Sequence, residues 1–323
     1  MKLAVVLTTL TLGLTLGACT PQVPEREEPP GLTNGSFTAT LNAFQIHYEV
    51  HGRGPVLMTV PNSWGLSLQG LRAMYQPLEE RLTLVYFDPR GMGGSEAVRE
   101  DSDRGMAAVR GDFQALRAHL GLETVNAIGW SNGAANLIFL AHEQPAALSS
   151  AIFVHQGASF TEEDAGRVSE EHPELMAAFG SYAQQMADPD LSADEKMAVH
   201  RKVWLEDYFP LLFAERDSAQ DALSRLFGEA ELSWRHAAYS QQEMPTFDVT
   251  DLLPKIPVRS LVIAGAHDIL PPERLKPLAD GLPDSDFVVF EKSGHFAPVE
   301  EPRAFEVVVF NFLGVLSLPP PAR

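Results

Sequence analysis

The sequence predicts an α/β fold in which a mostly parallel eight-stranded sheet carries helices on both faces and a helical cap is inserted into the chain. Three observations predict it. Short apolar runs such as LTLVYFD (82–88) and RSLVIAG (259–265) are typical of buried parallel strands. Apolar residues at helical spacing lie between such runs, and this alternation favours a sheet covered on both sides. The alternation stops from about 160 to 250, where helix-forming residues predominate.

The individual elements follow from short local patterns. Residues 44–50 alternate weakly and end at the turn HGRGP, which indicates a hairpin leading into the buried strand VLMTV (56–60). Met106, Val109 and Phe113 recur at helical spacing, so this stretch is predicted to form a helix that covers the sheet. Further strands are predicted at 125–129, 149–155 and 286–290.

The first 35 residues are interpreted as targeting and tether segments. Lys2 precedes an apolar run that is short for a membrane span, which favours a signal peptide over residues 1–18. The junction LGAC resembles the lipobox of bacterial lipoproteins, and this resemblance implies lipidation of Cys19. The Pro-rich, charged stretch at 19–35 fits a spacer. We therefore expect a lipid-anchored protein of the cell envelope that faces the exported side, periplasmic or extracellular.

Composition excludes two classes of protein. The formal net charge of -19 and the lack of a Lys/Arg cluster argue against a nucleic-acid partner, because phosphate binding needs a basic surface. The single cysteine excludes an internal disulfide framework and a multi-cysteine metal site.

The helical region divides the remaining chain. We assign residues 36–158 and 251–323 to the core and residues 159–250 to the cap. Between 160 and 250 there are 19 acidic residues and 7 Lys/Arg. Such an excess is usually a solvated surface, and it also leaves open a carboxylate that holds a cationic substrate group.

The segment Gly129-Trp130-Ser131-Asn132-Gly133 fits the pattern G-x-S-x-G between a predicted strand and a predicted helix. That context places the serine at the apex of a sharp strand-to-helix turn. Side chains two positions away would collide across so tight a turn, which explains the glycines at 129 and 133. Ser131 is therefore the candidate nucleophile.

A nucleophilic serine needs a histidine to accept its proton and an acid to orient that histidine. Asp268 comes three residues after the predicted strand SLVIAG, and His295 follows the last predicted strand. The chain order Ser131, Asp268, His295 is typical of the α/β-hydrolase fold. His267 stays open as an alternative base.

Residues 44–315 resemble the α/β-hydrolase superfamily. The stretch FDPRGMGGS (87–95) is similar to the DxRGxGxS loop of its peptidase and esterase branches, and the pair Gly294-His295 is followed by EEP at 300–302. The chain is most similar to proline-iminopeptidase-like and esterase-like members, whose helical cap follows the sixth strand. This resemblance implies hydrolysis through an acyl-enzyme, which requires no cofactor and no metal.

The predicted oxyanion site departs from the family pattern. Such enzymes carry His-Gly-Gly or His-Gly-x after the third strand, whereas this chain has PNSWG at 61–65. Asparagine tolerates positive φ better than other non-glycine residues, so the turn can be preserved. We expect the backbone N–H groups of Ser63 and Asn132 to form the oxyanion hole, assisted by the N-terminus of the following helix.

Four residues are candidate substrate contacts. Trp64 and Trp130 flank the presumed reaction centre and could line an aromatic pocket, although core packing also explains them. Glu206 and Asp207 in the cap are candidates for binding a substrate ammonium, because enzymes that the chain resembles use cap carboxylates in this way.

These observations predict a membrane-tethered serine hydrolase that acts on a small molecule or a short peptide. Ester and peptide bonds are both open to this chemistry, and a proline-iminopeptidase-like aminopeptidase is the specific alternative. A third hypothesis is a catalytically weak surface binding protein on a hydrolase scaffold. The physiological substrate, the protein partners and the oligomeric state stay open.

Overall fold

One eight-stranded sheet organises the residues that the computed structural model describes, 32–243 and 247–316. The predicted signal peptide, Cys19 and most of the predicted tether lie outside these residues. The strands are β1 (Gly35–Leu41), β2 (Phe44–Gly52), β3 (Val56–Val60), β4 (Thr83–Phe87), β5 (Val125–Trp130), β6 (Leu148–Val154), β7 (Ser159–Phe160), β8 (Phe247–Asp248), β9 (Ser260–Gly265) and β10 (Ser285–Phe290).

The order of strands in the main sheet is β1-β2-β4-β3-β5-β6-β9-β10. The β1–β2 and β2–β4 pairs are antiparallel, and every other pair in this sheet is parallel. The predicted fold class, a mostly parallel sheet of eight strands with helices on both faces, is therefore confirmed.

The register brings three strand ends together. Trp130 at the end of β5 pairs with Val154 at the end of β6, and Val154 pairs with Ile263 in β9. Because parallel strands end at the same edge of a sheet, the residues that follow β5, β6 and β9 are neighbours. This edge carries the candidate site.

Helices cover both faces of the sheet, and each face has its own apolar core. One core contains Phe113 and Leu137, and the other contains Tyr75 and Phe305. The α-helices are α1 (Leu68–Tyr75), α2 (Met106–His119), α3 (Asn132–Glu143), α4 (Glu162–Glu171), α5 (Pro173–Met186), α6 (Ala193–Lys202), α7 (Arg216–Phe227), α8 (Trp234–Glu243), α9 (Pro272–Gly281), α10 (Ala297–Glu300) and α11 (Pro302–Phe312). Short 3₁₀ helices are Gln76–Glu80, Asp101–Arg104, Pro145–Ala147, Phe209–Leu212 and Leu253–Lys255, and Val203–Tyr208 is a π-helix.

The cap is the insertion between β6 and β9. It contains α4 to α8 and the π-helix, and at its base the two-residue strands β7 and β8 pair antiparallel. The sequence did not predict this pair, because two residues are too short to produce a periodic pattern. The pairing closes the insertion where the chain leaves and re-enters the core.

Within residues 32–243 and 247–316, no helix is both long and apolar enough to cross a bilayer.

Candidate active site

Ser131 lies on a strained turn between β5 and α3. Its backbone has φ 53° and ψ -124°, a region that non-glycine residues rarely adopt. A Cβ on Gly129 would lie 2.5 Å from the carbonyl of Gly133, and a Cβ on Gly133 would lie 2.4 Å from the carbonyl oxygen of Val60. Glycine is thus required at both positions. The strain at Ser131 is typical of functional sites.

Asp268 and His295 come together from the loops after β9 and β10. His295 Nδ1 lies 2.7 Å from Asp268 Oδ2, and the Asp268 side chain is completely buried. Burial alone would raise the pKa of Asp268, but the adjacent His295 and hydrogen bonds from His155 and His295 outweigh burial and lower this pKa. Asp268 is therefore a carboxylate that can orient and stabilise the imidazole of His295.

Trp130 joins the turn of Ser131 to the loop of His295. Its indole Nε1–H donates to the carbonyl oxygen of His295 over 2.8 Å, and its ring centroid lies 5.3 Å from that of His295. Trp130 is only 1 % exposed. The structure thus places Trp130 as a brace inside the site and leaves almost none of its surface for the predicted substrate contact.

The loop of His295 is fixed by a half-buried carboxylate, that of Glu300. Glu300 accepts backbone N–H bonds from Ala214, Gly294 and Phe296 at 2.8–3.2 Å. Burial raises the pKa of Glu300, although these three bonds oppose the shift. A Cβ on Gly294 would lie 2.2 Å from the carbonyl oxygen of Leu212, so the loop packs directly on backbone. Glu300 therefore connects the loop of His295 to the cap segment that precedes α7.

The predicted oxyanion residues are in contact, but in an arrangement the sequence did not predict. The backbone N–H of Ser63 donates to Asn132 Oδ1 over 2.7 Å, and the Ser63 hydroxyl donates to the same oxygen over 2.8 Å. The expected donor at Ser63 is therefore occupied by the Asn132 side chain. The reason is local: Asn132 is the first residue of α3, and its carboxamide oxygen lies within hydrogen-bond distance of both donors of Ser63. Two donors thus converge on one oxygen atom beside Ser131.

Aromatic rings of the core and cap pack beside the site. Trp64 lies 4.7 Å from Trp204 and 6.1 Å from Phe209, measured between ring centroids. A cavity of about 530 Å³ between the cap and the core has Asp268 and Phe213 in its lining. Trp64 thus belongs to an aromatic cluster of the core and cap, but it is not among the residues that line this cavity.

The two predicted cap carboxylates are placed differently. Glu206 and Asp207 are exposed, whereas Trp204 and Tyr208 of the same π-helix pack against other aromatic rings. The structure does not bring Glu206 or Asp207 among the buried residues of the site. Their predicted role in ammonium binding gains no support from this placement.

Two residues of the site are not among those that the sequence predicted for it. His155, which directly follows β6, lies 3.1 Å from Asp268 Oδ2 through its Nδ1 and is fully buried. Tyr208 interacts electrostatically with the same carboxylate. Burial, together with the negative charge of Asp268, raises the pKa of Tyr208 to about 12. A histidine directly after an apolar strand, SSAIFVH, was the only available signal for His155.

Three potential metal ligands lie within 4.8 Å of one another, namely His155, Asp268 and His295. Their hydrogen bonds account for this proximity. Both histidines point Nδ1 at Asp268, and His155 Nε2 accepts from the backbone N–H of Ala297 over 3.3 Å. A metal ion bound by these three side chains would have to displace these hydrogen bonds. The arrangement therefore suits the holding and transfer of protons.

Comparison with known proteins identifies the family to which this fold belongs. Residues 60–302 match the family described as the alpha/beta hydrolase fold, and the chain belongs to that family. The predicted superfamily membership is confirmed. The chain is accordingly a hydrolase of this fold. Its predicted signal peptide and lipidation remain predictions.

Individual relatives differ in the substrates their names state. The chain is 26 % identical over 275 residues to a putative carbamate hydrolase of Agrobacterium fabrum, covering 83 % of this chain and 98 % of that protein. It is 25 % identical over 298 residues to a proline iminopeptidase of Levilactobacillus brevis, covering 84 % and 94 %. Among solved structures, an esterase from Exiguobacterium antarcticum has a TM-score of 0.67 at 20 % identity, covering 87 % and 99 %, which is a likeness of fold.

Proposed function

We propose that this chain is a serine hydrolase that cleaves carboxylic esters through an acyl-enzyme on Ser131. The observation that carries the proposal is the buried 2.7 Å contact between His295 Nδ1 and Asp268 Oδ2, joined through Trp130 to the strained turn of Ser131. A buried acid that orients an imidazole at the same sheet edge as a partly exposed turn serine is the arrangement that acyl transfer requires.

The reaction proceeds in two halves. Ser131 Oγ attacks the carbonyl carbon while His295 Nε2 takes the hydroxyl proton, and Asp268 stabilises the imidazolium that forms. The tetrahedral intermediate then collapses, the bond from carbon to the leaving oxygen breaks, and His295 returns its proton to that oxygen. Water repeats the sequence on the acyl-enzyme, giving its proton to His295. The carboxylic acid leaves as that proton returns to Ser131.

The oxyanion of the intermediate needs donors, and three are available. The N–H of Asn132 has no intrahelical partner because Asn132 is the first residue of α3. The N–H and hydroxyl of Ser63 already converge on Asn132 Oδ1. In the proposed reaction the substrate carbonyl oxygen displaces this carboxamide oxygen. Each donor of this kind supports catalysis by about 2.7 to 4 kcal/mol.

The exposure of the predicted ammonium-binding acids favours an ester over a peptide with a free amino terminus, although Glu171 and Glu273 also line the cavity beside Asp268. An aminopeptidase needs an anionic group to bind the substrate ammonium. Glu206 and Asp207, the cap carboxylates predicted for that role, are exposed, whereas rings including Trp64 and Trp204 pack near the centre. An apolar acyl group suits these rings better than a charged amine does.

Parallel assays separate the two activities. We expect turnover of short p-nitrophenyl esters and none of Pro-p-nitroanilide, each compared with Ser131→Ala. Turnover of the anilide at a rate comparable to the esters would contradict the ester assignment and favour the proline-iminopeptidase-like alternative, whose support is the similarity to the Levilactobacillus brevis enzyme.

We also propose that the protein is tethered to a membrane of the cell envelope through Cys19. The support is the sequence alone: LGAC at 16–19 ends an apolar run and precedes a Pro-rich stretch. Expressed with its native leader, Cys19→Ala should move the protein from the membrane fraction to the soluble fraction. A mutant that stays in the membrane fraction would contradict the lipid anchor without affecting the catalytic proposal.

A further inference from the structure

A second histidine shares the carboxylate of the proposed triad. His155 is 1 % exposed, and its side chain contacts Asp268 on one side and the backbone of Ala297 on the other. The centroids of the His155 and His295 rings are 5.1 Å apart. The proposed reaction assigns no role to His155, so its burial against the acid needs a separate explanation.

The hydrogen bonds determine which nitrogen of His155 carries the proton. The N–H of Ala297 donates to Nε2 over 3.3 Å, so Nε2 is unprotonated. The proton of the neutral ring is therefore on Nδ1, which donates to Asp268 Oδ2 over 3.1 Å. Burial lowers the pKa of His155, although hydrogen bonding to Asp268 opposes that shift, and the ring stays neutral.

The two histidines converge on the same oxygen. Asp268 Oδ2 accepts from His295 at 2.7 Å and from His155 at 3.1 Å, while Asp268 Oδ1 accepts from the N–H of Leu270 over 3.1 Å. These bonds leave the carboxylate a single orientation. Two donors therefore share Oδ2 as their acceptor.

The backbone of His155 is held for this contact. His155 has φ 54°, a left-handed conformation that non-glycine residues rarely adopt, and its N–H donates to the carbonyl of Ile263 in β9 over 2.9 Å. Strained residues of this kind cluster at functional sites. Ser131 and His155 thus follow neighbouring strands, and both have a positive φ.

We propose that His155 is a positioning residue. Its Nδ1–H fixes the orientation of the Asp268 carboxylate and weakens the hydrogen bond that this carboxylate accepts from His295. The proposal rests on the proposed function, since it concerns the same triad. The charged and titratable groups around this contact are Asp268 and His295, together with Glu300 and Tyr208, each of which interacts electrostatically with Asp268.

Two variants separate positioning from packing. The amide nitrogen of asparagine can occupy the place of Nδ1, so His155→Asn keeps the donor to Asp268 and loses the acceptor for Ala297. Glutamine reaches the place of Nε2 instead, so His155→Gln keeps an acceptor for Ala297 and loses the donor to Asp268. Neither residue is β-branched, and asparagine tolerates the left-handed backbone well.

The test compares both variants with the wild-type chain in ester hydrolysis across pH and in thermal unfolding. We expect His155→Gln to lower kcat about tenfold and to move the acid limb of its pH profile upward by about half a pH unit, because Oδ2 then holds the proton of His295 more tightly. We expect His155→Asn to keep the wild-type limb and most of kcat.

Several outcomes would overturn the proposal. Losses of kcat that are equal in both variants and follow the fall in Tm would show that His155 is a packing residue. An unshifted acid limb in His155→Gln would show that His155 does not weaken the hydrogen bond from His295 to Asp268. Loss confined to His155→Asn would place the role at Ala297. A wild-type chain inactive on esters would overturn the proposed function and this inference together, whereas an active wild type with an unaffected His155→Gln overturns only the inference.

Discussion

The indole N–H of Trp130 donates to the carbonyl oxygen of His295 over 2.8 Å, inside the protein and one residue before Ser131. The bond connects two loops that are separated by 165 positions in the chain. Through this one side chain, the turn that carries Ser131 is held at a fixed distance from the loop that carries His295. Catalysis that depends on the relative placement of Ser131 and His295 should therefore depend on Trp130.

Replacing Trp130 by phenylalanine tests this connection. The smaller ring keeps part of the packing on Phe296, which lies 5.0 Å away between centroids, but leaves the carbonyl of His295 without its donor. We expect kcat for an ester to fall about tenfold or more, because a small misplacement of reacting groups has large effects. An unsatisfied buried carbonyl should also lower the free energy of unfolding by about 1 to 3 kcal/mol.

Trp234→Phe is the matched control, because Trp234 is a partly buried tryptophan of the cap whose ring lies beside Lys196 and Arg235, away from the proposed site. Steady-state kinetics and urea unfolding would be measured on both variants. An equal fall in kcat for Trp234→Phe would show that the loss of any partly buried indole matters as much as the bond to His295.

Removing the carboxamide of Asn132 tests the arrangement of the oxyanion site. Asn132→Ala frees the N–H and hydroxyl of Ser63, which otherwise donate to Asn132 Oδ1. We expect kcat/KM for an ester to rise several-fold, since the substrate no longer competes with two hydrogen bonds of about 0.5 to 1.5 kcal/mol each. Inhibition by a boronic acid should strengthen in parallel.

Ser63→Ala is the complementary variant and should lower kcat, because it removes one donor and leaves the other. A fall in kcat/KM for Asn132→Ala would show instead that the carboxamide itself assists the reaction through its Nδ2–H groups.

The exposed cap acids provide a test of substrate class. Glu206 and Asp207 are exposed on the π-helix, so Glu206→Gln combined with Asp207→Asn should leave kcat and KM for p-nitrophenyl esters within about twofold of wild type. Glu300→Gln, which alters the carboxylate that holds the histidine loop, should lower kcat in the same assay. A large rise in KM for amino-acid esters in the double variant would restore the predicted ammonium-binding role.

Stability should fall in mild acid because two buried histidines resist protonation. Burial lowers the pKa of His200 and His236 to about 4. The unfolded chain binds these protons near pH 6.5, so the folded state loses stability as pH falls from there toward 4. At pH 5 the loss is at most about 2 kcal/mol for each histidine.

Urea unfolding at pH 7 and pH 5 measures this loss. His236→Gln should reduce the difference between the two free energies of unfolding, and the exposed His119→Gln should leave it as in wild type. An unchanged difference in His236→Gln would mean that other groups cause the acid sensitivity.

Sequence patterns predicted the sheet and the residues of the proposed triad because both depend on local signals. Each strand is a short apolar run, and Ser131, Asp268 and His295 each follow one, so a parallel sheet brings them to one edge. The glycines at 129 and 133 could be explained before the structure, since a tight turn permits no side chain there.

Side-chain direction could not be predicted in the same way. For Trp130 the sequence left pocket lining and core packing open, because it shows that a ring is adjacent but not which way it points, and the structure places the ring as a brace on His295. Glu206 and Asp207 lie on a π-helix, whose residues per turn differ from the α-helical repeat, so the buried face could not be read from spacing. His155 and the carboxamide of Asn132 gain partners that are remote in the chain.

The most direct test of the central claim is the site of covalent labelling by a fluorophosphonate. We expect one adduct per chain, located on Ser131 by peptide mass spectrometry, absent in Ser131→Ala and much slower to form in His295→Gln. No adduct on the wild-type protein, or one that persists in Ser131→Ala, would contradict catalysis by Ser131 and favour a binding protein on this scaffold.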